Sequence, residues 1–276
     1  MNNIQICYPG FKRKCFTLSY DDGVLQDIPF LEMINFYGVK ATFNLNSGLF
    51  GQIKYRNGIN NSRLKEEELL NIYEGHEIAS HSMYHYHLEN KDYETNYVQI
   101  KKDKEILESM FNTDVKGFAY PFGTYSTDTI DVLKKLGFVY ARTTKPSYKF
   151  TLLDEDYLLL KPTCSHSDKK LINLALEFID SKEKLALFYV WGHTYEFANN
   201  NNWGLFRELL EILKNDKDIA YLTNIEAITY LIESKKIDIT NTTIFNNSDI
   251  DLFFIVNNEE IIIKAKDKYV YMEEEE

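Results

Sequence analysis

Two adjacent carboxylates, Asp21 and Asp22, end an apolar run and are followed by Gly23. Two like charges side by side oppose one another, because each raises the pKa of the other. A metal ion removes this conflict, since one carboxylate can bind the ion while the other stays beside it as a base. A simple Asp-Asp-Gly turn is the alternative interpretation, and it requires no chemistry.

Two histidines, His81 and His85, lie four residues apart. If the segment turns helical, both imidazoles lie on one face and can reach one ion. With Asp22 they predict a site of two histidines and one carboxylate that leaves room for water, the open coordination of a catalytic metal. We expect a divalent ion, most simply Zn²⁺, with Co²⁺ and other divalent ions as alternatives. A histidine-rich surface turn is the interpretation without chemistry.

His193 follows a second apolar run, residues 185–190. On the same face as the carboxylates it would serve as a general acid, whereas a histidine after a buried strand is often a hydrogen-bonded core residue. The aromatic residues around it could stack on a sugar ring or belong to the core, and they are Trp191, Tyr195 and Phe197.

Residues 120–123 read Tyr-Pro-Phe-Gly. Tyr120 is a candidate for substrate contact but a poor base, because an ordinary tyrosine has a pKa of about 10. The backbone N–H of Phe122, between a proline and a glycine, could stabilise an oxyanion. A rigid Pro-Gly turn is the alternative.

Strand-like apolar runs alternate with helical patterns through most of the chain. The predicted strands are residues 15–20, 39–45, 77–80, 115–120, 138–143, 157–162, 185–191 and 219–222. The predicted helices are residues 26–37, 64–74, 93–111, 127–136, 169–179, 205–213 and 225–232, and glycine follows three of them where helix C-caps belong (Gly38, Gly75, Gly137). Eight strands separated by seven helices predict a parallel α/β fold, best as a barrel. Because the carboxyl ends of all strands open on one face, the residues above would converge there. His76 precedes a strand, so we expect a structural role for it at the opposite end.

A boundary is predicted near Lys235, where the helical period disappears. The remaining chain predicts short strands at residues 237–243, 251–256, 259–264 and 269–272, with Asn257-Asn258 as a hairpin turn. We therefore expect a barrel over residues 1–234 and a small β-rich appendage over residues 235–276 that packs against it. This appendage could be a sugar- or partner-binding module or, more simply, a lid over one barrel face.

Composition excludes some classes of protein. The 276 residues carry a net charge of −11, which disfavours nucleic acid and an anionic membrane as partners. The three cysteines are far apart in sequence and predict reduced thiols rather than a disulfide framework. Because neither a signal peptide nor a membrane-spanning run is recognisable, we expect a cytoplasmic location.

Together these motifs resemble those of the polysaccharide deacetylase (NodB-homology) family of carbohydrate esterases, over about residues 12–232. Residues 19–23 (Ser-Tyr-Asp-Asp-Gly) resemble the family's T-F-D-D-G, residues 81–85 match its H-[ST]-x-x-H, and residues 191–193 correspond to its L-x-H with tryptophan in place of leucine. The resemblance implies a distorted parallel (β/α)7-type barrel. It also implies roles for the site residues: Asp21 as catalytic base, Asp22, His81 and His85 as metal ligands, His193 as acid, and the Phe122 amide as oxyanion donor.

One family motif departs from its pattern. R-x-P-Y appears here as Ala-Tyr-Pro-Phe at residues 119–122, so the arginine that orients the catalytic aspartate is absent. We hypothesise that Arg142, at the end of the next predicted strand, supplies that charge. The family's fourth motif, an acidic and aromatic stretch, has no clear counterpart.

The resemblance implies a metal-dependent hydrolase that removes N- or O-linked acetyl groups from a carbohydrate. Two alternatives remain open at the level of sequence. One is a hydrolase acting on the C–N bond of a cyclic imide or ureide in the same barrel. The other is a catalytically silent carbohydrate-binding protein, although such a protein needs no second carboxylate beside a metal ligand.

Overall fold

The structure is a computed structural model that describes residues 3–271. The strands are β1 (Ile4–Cys7), β2 (Lys14–Asp21), β3 (Thr42–Leu45), β4 (Tyr55–Arg56), β5 (Ile59–Asn60), β6 (Glu77–Ser80), β7 (Gly117–Ala119), β8 (Tyr140–Arg142), β9 (Cys164–Ser165), β10 (Ala186–Gly192), β11 (Ile219–Tyr221), β12 (Ile237–Ile239), β13 (Thr243–Asn246), β14 (Leu252–Val256), β15 (Glu259–Ile263) and β16 (Lys268–Val270). The α-helices are α1 (Asp27–Phe36), α2 (Glu66–Ile72), α3 (Tyr93–Phe111), α4 (Thr127–Lys135), α5 (Leu171–Asp180), α6 (Tyr195–Asn200), α7 (Trp203–Leu213) and α8 (Asn224–Ser234). Short 3₁₀ turns lie at Ser47–Leu49, Leu88–Asn90 and Pro121–Gly123.

A curled parallel sheet forms the centre of the fold, in the order β8-β7-β6-β3-β2-β10-β9. Every residue of β2 is buried, as expected for a strand covered on both faces by a barrel interior and surrounding helices. Strand β10 pairs with β2 from Lys14 to Tyr20, while β11 and β3 share the other edge of β2. The predicted parallel α/β barrel is therefore confirmed.

The two ends of this sheet are connected through residues 157–166. Leu160 forms a parallel bridge to Arg142 in β8, and β9 pairs with Val190 and Trp191 in β10. The predicted strand at residues 157–162 is wrong in its bounds, because only Leu160 pairs there and the ladder lies at Cys164–Ser165. This part of the chain closes the distorted barrel.

The helices cover the outside of the sheet, and their apolar faces form the larger buried core, which includes Phe16, Phe30, Phe43 and Phe188. Six of the predicted helices begin and end within a few residues of the observed ones, and α2 lies inside the longer helix predicted at residues 64–74. The three glycines predicted to end helices all have positive φ angles, of 68° at Gly38, 83° at Gly75 and 76° at Gly137. Helix α6 was not predicted.

Two small antiparallel sheets form the β appendage, β1-β14-β15 and β12-β13-β16. The predicted hairpin turn is confirmed, because Asn257 and Asn258 both take positive φ angles (51° and 71°) between β14 and β15. Strand β1 belongs to this region as well, since Ile4 pairs with Val256. The boundary at residue 235 stays a prediction, and the end of the last predicted strand, Met272, lies outside the described residues.

Candidate active site

A cavity of about 790 Å³ opens at the carboxyl ends of the parallel strands. It is lined by Asp21, Asp22, Leu49, Gln52, Lys54, Arg63, His81, Tyr84, His85, Tyr120, Phe122, Thr144, Trp191, His193 and Tyr195. Two of the candidate residues named from the sequence are absent from this lining: Arg142, which is buried directly behind Asp21, and Phe197. The strand-end positions thus bring together residues that are far apart in the chain.

Asp22, His81 and His85 place their donor atoms within 4.8 Å of one another. The Nδ1 atom of His81 lies 2.7 Å from the carbonyl oxygen of Ala119. Because that carbonyl can only accept, Nδ1 carries the proton and Nε2 keeps its lone pair for a metal. Burial also lowers the pKa of His81 to about 4, so the ring is neutral at pH 7. The donor set fits a divalent cation such as Zn²⁺.

The path between the two histidines is a loop rather than the predicted helical turn. Ser82 and His85 take φ angles of 59° and 53°, in the left-handed region. This loop folds the His85 ring edge-on against His81, with ring centroids 4.7 Å apart. The two imidazoles converge although the helical spacing argument was wrong.

An arginine not identified from the sequence holds Asp22. Arg63 Nη2 lies 2.9 Å from Asp22 Oδ1, while Nη1 donates to the Asp22 backbone carbonyl and to Asn46 Oδ1 at 3.0 Å. Burial alone would raise the pKa of Asp22, but Arg63 and the three site histidines hold it below its ordinary value. Asp22 has a φ angle of 93°, and one guanidinium fixes both its backbone and its carboxylate.

Asp21 is paired with Arg142. One guanidinium nitrogen, Nη2, donates to both carboxylate oxygens at 2.5 and 2.7 Å, and Asn44 donates to Oδ1 at 2.8 Å. Arg142 also donates to Ser19 Oγ at 3.1 Å and stacks 4.6 Å from the Trp191 ring. Burial would raise the pKa of Asp21, but Arg142, His81 and His193 lower it below its ordinary value. The carboxylate is therefore charged at neutral pH.

His193 is held by a residue of helix α6. Its Nδ1 lies 3.1 Å from Glu196 Oε1, and its Nε2 lies 3.9 Å from Asp21 Oδ2. Burial lowers the pKa of His193, but Glu196, Asp22 and Asp21 together raise it above its ordinary value. The raised pKa favours the imidazolium form, in which the Nε2 proton lies close to the charged Asp21.

Glu196 also faces a second buried histidine. Its Oε2 lies 3.0 Å from His166 Nε2, and His166 is completely buried. A Cβ at Gly192 would lie 1.9 Å from His166 Nδ1, so this close packing requires glycine in the Trp-Gly-His motif. The three-residue spacing of His193 and Glu196 would have indicated their contact had α6 been recognised, whereas no local pattern points to His166.

The aromatic candidates differ in how far their rings are exposed to the cavity. Tyr120 is fully buried in its wall and donates its hydroxyl to the Leu158 carbonyl at 2.9 Å. Phe122 is 49% exposed, has a φ angle of 60°, and packs edge-on against His85 at 4.5 Å. Phe197 packs in the core with Tyr20 and Phe30, so it is not available to stack on a ligand.

His76 lies outside the cavity lining, at the start of β6. Its Nδ1 accepts from the Ala41 N–H at 3.1 Å, and its Nε2 lies 2.9 Å from Asn35 Oδ1. Both ring nitrogens are therefore used in contacts between elements, in agreement with the structural role expected for this histidine.

The fold and the site define a parallel α/β barrel with a candidate centre of one carboxylate and two histidines at the strand ends. The family model for polysaccharide deacetylase matches residues 9–141. Over these residues the chain is similar to the polysaccharide deacetylase family. None of the described helices is long and apolar enough to cross a membrane.

Solved structures share this fold. A putative polysaccharide deacetylase from Mycobacterium smegmatis is 15% identical with a TM-score of 0.61, over 85% of this chain and 96% of that chain. A family 4 carbohydrate esterase from Streptomyces lividans in complex with acetate is 13% identical with a TM-score of 0.53, over 76% and 92%. A family 4 pseudoenzyme from Bacillus anthracis is 16% identical with a TM-score of 0.50, over 81% and 68%.

The Streptococcus pyogenes deacetylase PplD in complex with acetate is 22% identical with a TM-score of 0.41. The comparison covers 46% of this chain, which spans 55% of that one. Comparison with curated proteins found no match.

Proposed function

We propose that this protein is a metal-dependent hydrolase that removes acetyl groups, N- or O-linked, from a carbohydrate and releases acetate. The observation that carries the proposal is a charged carboxylate, Asp21, paired with a buried arginine beside a candidate metal site. The Streptomyces lividans relative, described as a carbohydrate esterase in complex with acetate, supports acetate as the product.

Asp22, His81 and His85 would hold the cation, which we propose to be Zn²⁺ or another divalent ion. When bound, such a cation lowers the pKa of water and polarises a carbonyl oxygen. Arg63 holds the Asp22 carboxylate and backbone in place for this task.

Asp21 acts as the base that accepts a proton from the attacking water, because its low pKa keeps it charged at neutral pH. Arg142 orients it, in the role that the family's missing motif arginine would fill. His193, whose pKa is raised, donates a proton from Nε2 to the departing amine or alcohol. The Phe122 N–H would stabilise the oxyanion.

Trp191 and Tyr195 form aromatic parts of the cavity wall and would contact the acetylated carbohydrate. Tyr120, the third aromatic residue predicted to contact substrate, is fully buried and would support the wall from behind. Trp191 is fixed by its stacking on Arg142, so it offers a rigid surface to a sugar ring. A cytoplasmic location and the absence of a nucleic-acid or membrane partner stay predictions from the composition.

The fold relative from Bacillus anthracis is described as a pseudoenzyme, so catalysis must be measured directly. Purified protein should contain a divalent metal by elemental analysis and release acetate from N-acetylchitooligosaccharides or acetylated xylan. A chelator should remove both the metal and the acetate release, and added metal should restore them. Metal-loaded protein that releases no acetate across this screen would contradict the proposal and favour the silent carbohydrate-binding barrel or the cyclic imide hydrolase.

A further inference from the structure

A hairpin formed by β4 and β5 lies between β3 and α2 and builds one wall of the site. Lys54, just before β4, lines the main cavity. Lys54 and Arg56 also line a smaller adjoining cavity of about 30 Å³, together with Asp22, Arg63 and Tyr195. Since side chains alternate along an extended strand, residues 54 and 56 lie on the same side of the hairpin.

The acids of the site are already paired. Asp21 is paired with Arg142, and Asp22 with Arg63. Among residues 3–271, by contrast, neither Lys54 nor Arg56 has a carboxylate oxygen within 4.0 Å. Two uncompensated cations therefore face the site in a chain whose net charge is −11. A locally positive surface on an otherwise acidic protein attracts anions.

We infer that the substrate carries an anionic group, a carboxylate or a phosphate, close to the acetylated sugar, and that Lys54 and Arg56 bind this group. The inference rests on the proposed function and narrows its substrate class to acidic acetylated glycans. The guanidinium of Arg56 can donate two parallel hydrogen bonds to either anion, and the ammonium of Lys54 adds a point charge beside it. A neutral acetylated glycan gains nothing from either group.

Both side chains are exposed, so the expected effect is moderate. Solvent-exposed ion pairs contribute a fraction of the energy of buried ones, and salt screens them. The double variant Lys54→Gln/Arg56→Gln should raise the KM of an anionic substrate roughly 3- to 20-fold at low salt with little change in kcat. The KM of the neutral counterpart should stay within about 2-fold, because uncharged sugars make no ion pair.

The experiment measures acetate release at low and high salt from three matched substrates. These are a neutral N-acetylchitooligosaccharide, an oligosaccharide of N-acetylglucosamine and N-acetylmuramic acid that carries carboxylates, and a 6-phosphorylated chitooligosaccharide. The second and third distinguish a carboxylate from a phosphate. The control variant Lys102→Gln/Arg207→Gln removes the same charge from exposed positions of α3 and α7. It should leave the preference for the anionic substrate unchanged.

Equal kcat/KM for neutral and anionic substrates in the parent protein would overturn the inference, as would an equal effect of the double variant on both. Calorimetric binding of the same three oligosaccharides separates this result from a failure of the proposed function. If no substrate releases acetate, the proposed function fails. Tighter binding of the anionic oligosaccharides, lost in Lys54→Gln/Arg56→Gln, would still support the charged wall, and equal binding would reject it.

Discussion

Two of the buried carboxylates, Glu77 and Asp21, lie at opposite ends of the parallel strands. Glu77, the first residue of β6, accepts hydrogen bonds from the hydroxyls of Thr42 at 2.7 Å and Tyr140 at 2.8 Å and from the Ile225 N–H at 2.8 Å. Burial raises its pKa to about 7. Asp21, the last residue of β2, is also buried, yet its pKa is lowered because a buried arginine lies against it.

Burial pushes both groups towards the neutral form, so the difference between them comes from their partners. Hydroxyl and amide donors hold Glu77 but leave its pKa raised, which suits a structural connection between strands and α8. The guanidinium of Arg142 keeps Asp21 charged, and a charged carboxylate is what a base requires. A buried ion pair is weak evidence for stability, so we interpret the Asp21–Arg142 pair as functional.

The largest effect on activity should come from the proposed metal ligands, which lie only at the carboxyl end of the barrel strands. His81→Ala and His85→Ala should each lose bound metal and reduce acetate release to background, because two donors hold a catalytic cation poorly. Elemental analysis and acetate assays test this. His76→Gln, a histidine at the opposite end, should keep both, and full metal content in His81→Ala would contradict the assignment.

Without Arg142, the pKa of Asp21 should rise above its ordinary value, as that of Glu77 does. Arg142→Ala should lower kcat by about 10²-fold, because the carboxylate loses both its charge partner and its orientation. In an Asp21→Asn background the same change should cost little further activity, since the two residues act as one unit. Thermal unfolding of each variant checks that the fold survives. Unchanged turnover and metal content in Arg142→Ala would contradict the proposal that Arg142 positions Asp21.

Glu196→Gln should have a smaller effect, about 10-fold in kcat, because it leaves His193 present but less well oriented. Glu196 raises the pKa of His193, so its loss lowers that pKa. A general acid is lost as pH rises through its pKa, and the alkaline limb of the rate profile should therefore move to lower pH. The control is Glu208→Gln, an exposed position on α7. An alkaline limb that stays at the parental pH in Glu196→Gln would contradict the proposed effect of Glu196 on His193.

The smallest effect on activity is expected at the structural carboxylate. Glu77→Gln should leave turnover within about 2-fold of the parent, because Glu77 lies away from the cavity lining. Its folded-state pKa of about 7 exceeds its ordinary value of 4.5, so the stability it provides is complete below pH 4.5 and is lost as pH rises to 7.

Glutamine does not titrate, so this pH dependence should disappear in Glu77→Gln. Its unfolding free energy relative to the parent should therefore rise by up to about 3 kcal/mol between pH 4.5 and pH 7.5. Denaturant unfolding at several pH values measures it. A constant difference across this range would contradict the account of Glu77.

The sequence predicted the barrel and most site residues because both depend on local signals. Alternating apolar runs and glycine caps mark the elements, and polar residues after strand ends mark the open face. The apolar run Leu158-Leu159-Leu160 imitates a strand, but in the structure it mainly fills the core, with Leu160 alone pairing. Period and composition do not separate these two uses of leucine.

The features that the sequence did not predict depend on contacts between residues that are far apart in the chain. Arg63 lies before a predicted helix with no pattern that links it to Asp22, 41 residues away. Strand β1 pairs with β14 from the other end of the chain, so its partner is not readable locally. The left-handed turn at Ser82 likewise arises from the packing of the loop rather than from residue preference.

Metal content and acetate release of Asp21→Asn, measured on the same preparation, test the central claim most directly. An asparagine side chain has nearly the size of the aspartate that it replaces but cannot accept a proton from water. Parental metal content with acetate release at least about 10³-fold below the parent is the predicted result. Acetate release close to that of the parent at full metal content would contradict the account.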